Sequence, residues 1–236
     1  MDSRTLKHRI ILVARSLWAL PMTSVLVTAC SSDGPTNGDF DSTTLQVHVH
    51  LLQSDFSPLN TTLTEDDVRT IITGVNDIWQ QAGVAWKVES IVTDDALNAA
   101  VYESILLGDL PATGARIASI LPPGSSSDSR WDVFYLLDLG GIAGGVYLPP
   151  ITSVVVSELD PTGRRDLTGS VARILAHELG HSLGLQHVPC TPDGNLMAPG
   201  CQGGERTLLT SGQIDAARNQ AAAGRPTVLS EVSVLN

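Results

Sequence analysis

Apolar and polar residues alternate from Leu45 to Leu52, with Val47, Val49 and Leu51 on one side and His48 and His50 on the other, which predicts a half-buried strand. The period then changes. Thr64-Glu65-Asp66-Asp67 has the form of a capping box, and Val68, Ile71, Ile72, Val75, Ile78 and Trp79 recur at helical spacing, so a helix should start there and stop near Gly83. Val84 to Val92 reads as a returning strand. Trp131 to Leu137 and Thr152 to Ser157 read as two more, separated by a glycine-rich stretch, Gly140 to Tyr147. A second helix begins around Thr168 to Val171, where Val171, Ile174 and Leu175 supply packing while His177 and His181 face a cleft. Thr210-Ser211-Gly212-Gln213 opens a last helix that runs to about Ala223. Strands alternating with helices through residues 44–236 predict one mixed domain of the α+β class, large enough to bury a core without depending on disulfides.

The second helix carries the chemistry. Residues 177–187 read HELGHSLGLQH. His177 and His181 are four residues apart, so a helix places them on one face and their ring nitrogens can converge on a single metal ion. Glu178 sits beside them in the position of a general base. Gly184 falls where the helix must stop, and a glycine there can adopt the left-handed conformation that brings His187 back as a third ligand. Three protein ligands leave one zinc position open, the mark of a catalytic rather than a structural site.

This HExxHxxGxxH pattern resembles the metzincin clan of zinc metallopeptidases, and Asn195-Leu196-Met197-Ala198-Pro199 is similar to that clan's methionine turn, with Met197 as the floor of the site. The resemblance implies a zincin fold: a mixed twisted sheet, a long N-terminal helix, an active-site helix, the Met turn and a C-terminal helix. It implies one catalytic Zn²⁺, hydrolysis of peptide bonds, and an edge strand at Ala143, Gly144, Gly145, Val146 and Tyr147 that pairs with extended substrate; a plain turn is the other reading of that segment. Asp138 beside the glycines is a candidate Ca²⁺ ligand of the kind some metzincins carry. The Met-x-Pro pattern is nearest to matrixins. Other features depart from them: no cysteine-switch propeptide is visible, residues 110–130 contain no histidine for a second zinc, and Pro199 stands where several metzincins have a tyrosine. A catalytically silent zinc-containing binding or adhesion lipoprotein, and an amidase acting on cell-wall peptides, stay open as alternatives.

Arg4, Lys7, Arg9 and Arg15 followed by the apolar stretch Ser16 to Ala29 read as an export signal over residues 1–29. Val27-Thr28-Ala29-Cys30 resembles a bacterial lipobox, with Cys30 as the lipid anchor; conventional cleavage after Ala29, giving a secreted protein, is the alternative. Residues 30–43 are rich in Ser, Asp, Gly, Pro and Asn and read as a flexible tether. In an oxidising compartment Cys190 and Cys201 can pair across the Met-turn loop, or remain two thiols. The expected location is the bacterial cell envelope, at the outer membrane or cell surface. The formal charge of −11 for the whole chain makes nucleic acid an unlikely partner. A peptide or protein substrate, membrane contact only through the anchor, and a monomeric state are expected. His48 and His50 could themselves hold a metal, against the reading of a hydrogen-bonded strand pair.

Overall fold

In a computed structural model the described residues are 42–124, 129–140, 143–190, 192–200 and 205–228. The export signal, Cys30 and nearly all of the tether therefore lie outside them. The fold is a mixed α/β arrangement around one five-stranded sheet of order β2-β1-β3-β5-β4. Its strands are β1 (Thr43–Gln53), β2 (Val84–Asp95), β3 (Trp131–Leu136), β4 (Gly145–Leu148) and β5 (Ser153–Ser157). The pairs β1 with β2, β1 with β3 and β3 with β5 are parallel, while β4 runs antiparallel to β5 at the sheet edge.

The strand alternation seen in the sequence sorts the core into two layers. Val47, Val49 and Leu51 of β1, Val133 and Tyr135 of β3, and Val154 and Val156 of β5 face a cluster built with α1 (Glu65–Trp79), α4 (Ala172–Ser182) and α5 (Ser211–Ala222). Leu52, Phe134, Leu136 and Val155 face the other way, onto α2 (Ala99–Leu106) and α3 (Gly114–Ala118). β3 is buried along its whole length because helices cover both faces of the sheet. Residues 96–121 carry no element that the sequence pattern predicts. The helices there are short, of eight and five residues, too short for a clear period of 3.6.

Helix α1 starts as expected: the Thr64 hydroxyl accepts from Asp67 N–H and the Asp67 carboxylate accepts from Thr64 N–H, a reciprocal cap. It packs closely on α4. A Cβ at Gly74 would stand 2.9 Å from Ala172 Cβ, so only glycine permits this spacing of the two helices. Trp79 Nε1 donates to the Ala176 carbonyl at 3.3 Å, a second tie between them. The loop after β5 is fixed by buried Glu158, which accepts from Thr61 Oγ1 at 2.9 Å and Thr62 N–H at 2.7 Å and pairs with Arg165 Nε at 2.9 Å. The chain then enters α4 through a wide turn at Leu167–Val171, capped by the Asp166 carboxylate, which accepts from Gly169 N–H and Ser170 N–H.

Candidate metal centre

Helix α4 delivers two of the three histidines and its C-terminus aims the third. The N–H of Leu185 donates to Gly180 O at 3.0 Å and that of Gly184 to His181 O at 2.9 Å, the paired bonds of a Schellman ending. Gly184 takes a φ of +84°, the left-handed conformation expected from the sequence, and the chain reverses so that His187 returns over the helix face. The three imidazoles then meet. His177 Nε2 is 3.2 Å from His181 Nε2 and 3.1 Å from His187 Nε2, and His181 and His187 are 3.0 Å apart at the same atoms.

The opposite edges of two rings decide what those atoms are. His177 Nδ1 lies 2.7 Å from the Leu196 carbonyl and His181 Nδ1 lies 2.8 Å from the Leu185 carbonyl. A carbonyl can only accept, so each Nδ1 carries the hydrogen and, in the neutral ring, each Nε2 presents a lone pair. Burial, which disfavours the charged form, holds the histidines neutral: it pushes His177 down to about 4 and His181 to about 3, and it lowers His187. Three lone pairs aimed at one point repel unless a cation sits among them. Atoms at these separations can all lie ~2.0–2.1 Å from a common point, the Zn–N length, so the donor set fits one metal ion. Among the described residues this is the group of His, Cys, Asp and Glu side chains arranged to hold a metal.

Glu178 stands beside the triad, 7% exposed, and burial pushes its carboxyl up to about 8, with the Tyr147 backbone acting in the opposite direction. Edge strand β4 thus runs alongside the general-base candidate. The approach is tight: a Cβ on Gly145 would lie 2.9 Å from Glu178 Cγ, 2.9 Å from Ile174 Cγ2 and 3.2 Å from the Val155 carbonyl. Of the candidate edge segment, Gly145, Val146 and Tyr147 are strand, while Ala143 and Gly144 precede it, with Gly144 O accepting from Ser157 N–H at 2.8 Å.

Met197 is fully buried beneath the helix, its sulfur 2.6 Å from where a Gly180 Cβ would be. Its turn is braced by side chains whose contacts with each other the residue pattern does not encode. Asn195 Oδ1 accepts from Met197 N–H at 2.9 Å, and Asn195 in turn exchanges hydrogen bonds with Gln213, the capping residue of α5. The cap pattern at Gln213 was visible in the sequence; its second task was not. The carbonyl of Leu196 that orients His177 belongs to the same turn, so the turn both floors and aims the site.

The remaining candidates fall elsewhere. His48 Nδ1 meets Ser90 Oγ at 2.9 Å, and His50 uses both nitrogens on carboxylates, Asp94 at 2.6 Å and Asp132 at 3.2 Å. This is the hydrogen-bonded reading of the pair. Asp138 spends one carboxylate oxygen on Gly140 N–H at 2.7 Å, and its carbonyl accepts from Tyr102 OH. Cys190 is disulfide-bonded, whereas Cys201, its expected partner, lies outside the described residues.

No protein-family model matches the sequence and no curated protein matches it. Among solved structures, a chain from a chaperone-substrate complex is similar with a TM-score of 0.46 and 16% identity, over 78% of this chain and 35% of that one. Archaemetzincin from Methanopyrus kandleri is similar with a TM-score of 0.42 and 17% identity, over 80% of this chain and 91% of that one. Metalloproteinase-II from Bacteroides fragilis is similar with a TM-score of 0.41 and 15% identity, over 76% of this chain and 53% of that one. The chain thus spans about a third of the first and about half of the third.

Proposed function

We propose that this chain is a zinc-dependent endopeptidase of metzincin-like, matrixin-nearest pattern, in which His177, His181 and His187 hold the metal and Glu178 is the general base. The observation that carries this reading is the convergence of three Nε2 atoms at 3.0–3.2 Å beside a buried carboxyl. Imidazole donors in a three-ligand set suit zinc. When bound, zinc supplies a Lewis acid that polarises the scissile carbonyl and lowers the pKa of water.

The chain's own groups do the rest. Glu178 takes the proton of the attacking water and returns it to the leaving amine, a task for which a carboxyl held near neutral pKa is suited. Gly145 lies against the Glu178 side chain, so the base and the substrate-pairing strand are neighbours along one backbone segment. β4 pairs through β5 on one side only, and its outer edge offers backbone groups to an extended peptide. An N–H from that edge would share the charge of the tetrahedral oxygen. Export as a lipoprotein through Cys30, pairing of Cys190 with Cys201, and a monomeric state belong to the same proposal.

The test is hydrolysis of a broad quenched-peptide library by the zinc-loaded full chain beside Glu178→Gln. The variant should keep its zinc and lose ~10²–10⁴-fold in rate. Undiminished hydrolysis would remove Glu178 from the mechanism.

A further inference from the structure

Two arginines flank the triad and have no part in holding it. Arg173 precedes His177 by four residues on α4, hence on the same side of the helix. Arg206 is held at the Met turn: its Nη1 donates at 3.2 Å to the carbonyl of Ala198, the residue after Met197. The positive charges of both act on His177, and they act on each other.

No described carboxylate lies within ion-pair distance of either guanidinium. Arg165 is paired with Glu158 and Asp67, and Arg130 with Asp132. Arg173 is half-buried and makes no ion pair with a described carboxylate. The negative charges of Asp160 and Asp166 act on Arg173 from a longer range, and both carboxylates take their hydrogen bonds from local neutral donors. Asp160 Oδ1 accepts from Thr162 N–H at 2.9 Å, Thr162 Oγ1 at 2.6 Å and Arg164 N–H at 3.0 Å, while Asp166 caps the entrance to α4. Two guanidinium groups beside a partly desolvated site repel each other, an anion brought between them relieves that repulsion, and a carboxylate matches the planar fork of each. The location is a local exception in a chain of formal charge −11.

We propose that Arg173 and Arg206 form a carboxylate-receiving subsite beside the metal centre, selecting peptides with a carboxylate adjoining the scissile bond. The inference rests on the peptidase reading above. The carboxylate comes from an acidic side chain or from a free C-terminus, and the experiment separates the two.

Quenched peptides that differ only in Glu, Gln or Lys at each position flanking the cut, each with a C-terminal carboxylate or amide, are given to the zinc-loaded full chain. Arg173→Gln, Arg173→Glu, Arg173→Lys and Arg206→Gln are run beside it, and zinc content and melting temperature report folding. Anisotropy binding of the same peptides to zinc-loaded Glu178→Gln supplies a readout without turnover. At one flanking position, or at the free C-terminus, kcat/KM should favour the carboxylate by roughly 10-fold or more, the scale of a charge-assisted hydrogen bond. That ratio should fall towards one in Arg173→Gln, recover partly in Arg173→Lys, and invert towards Lys-containing peptides in Arg173→Glu. Preference that survives C-terminal amidation assigns an acidic side chain; preference lost on amidation assigns the free C-terminus. Cleavage with equal ratios everywhere overturns the subsite and leaves the peptidase standing. No cleavage, with Glu-selective binding that Arg173→Gln abolishes in the Glu178→Gln background, overturns the peptidase and leaves the subsite. No cleavage and unselective binding overturns both.

Discussion

Two clusters of histidine face opposite sides of the same sheet and differ in one respect, whether the ring nitrogens are spent. In the cluster of β1, β2 and β3, His50 stacks on Phe134 with ring centroids 4.3 Å apart and gives one nitrogen to Asp94 and the other to Asp132. Asp132, fully buried, is completed by Arg130 Nε at 2.9 Å. Around α4, each of two histidines gives one nitrogen to a backbone carbonyl and keeps the other turned towards its neighbours. The electrostatics diverge accordingly. Burial lowers His50, but the hydrogen bonds and charges of Asp132 and Asp94 outweigh it and the net shift is upward. At His177 and His181 burial prevails and the shift is downward. A histidine saturated by carboxylates is a structural cation; histidines that share an unspent direction are a ligand set.

That contrast is broken most forcefully from the structural side. Asp132→Ala should cost about 3–5 kcal/mol in urea unfolding, because it leaves Arg130 and His50 without their buried counter-charge. Zinc stoichiometry should not change. Gly145→Ala acts on the other cluster: its Cβ collides with Glu178 Cγ, Ile174 and the Val155 carbonyl, so hydrolysis should fall about 100-fold while zinc stays bound. An unchanged rate would show that β4 does not fix the base.

Gly184→Ala is expected to be milder, about 1–2 kcal/mol of stability, since alanine must take φ +84°. It should also weaken zinc binding, measured by chelator competition, because the turn that carries His187 shifts. The smallest effect is a pH trend. A group whose pKa is raised on folding stabilises fully below its unfolded value, 6.5 for His50, and that stability is lost as the pH rises through the folded value. Melting temperature should therefore decline more steeply above pH 6.5 in the wild type than in His50→Gln, and parallel profiles would contradict the assignment.

Much of this was legible before any coordinates. The ligand spacing, the stop at Gly184 and the cap at Thr64 follow from helix geometry, and β1 follows from strict alternation. The edge position of Gly145 to Tyr147 was implied only by resemblance, since four strand residues among glycines carry no period of their own. The second core layer was not legible, as α2 and α3 are too short to impose a pattern. Nor were the long-range partners: Asp132 lies 82 residues from His50, and Arg206 meets the Met turn through a backbone carbonyl, which no residue pattern encodes. Residue types identified the ligands; what aims them is mostly main chain.

The central claim is tested most directly by the number of zinc ions bound per full chain in the wild type, His181→Gln and His50→Gln, each confirmed folded by circular dichroism. The account predicts one, none and one. Zinc retained in full by His181→Gln, or lost in His50→Gln, would contradict it.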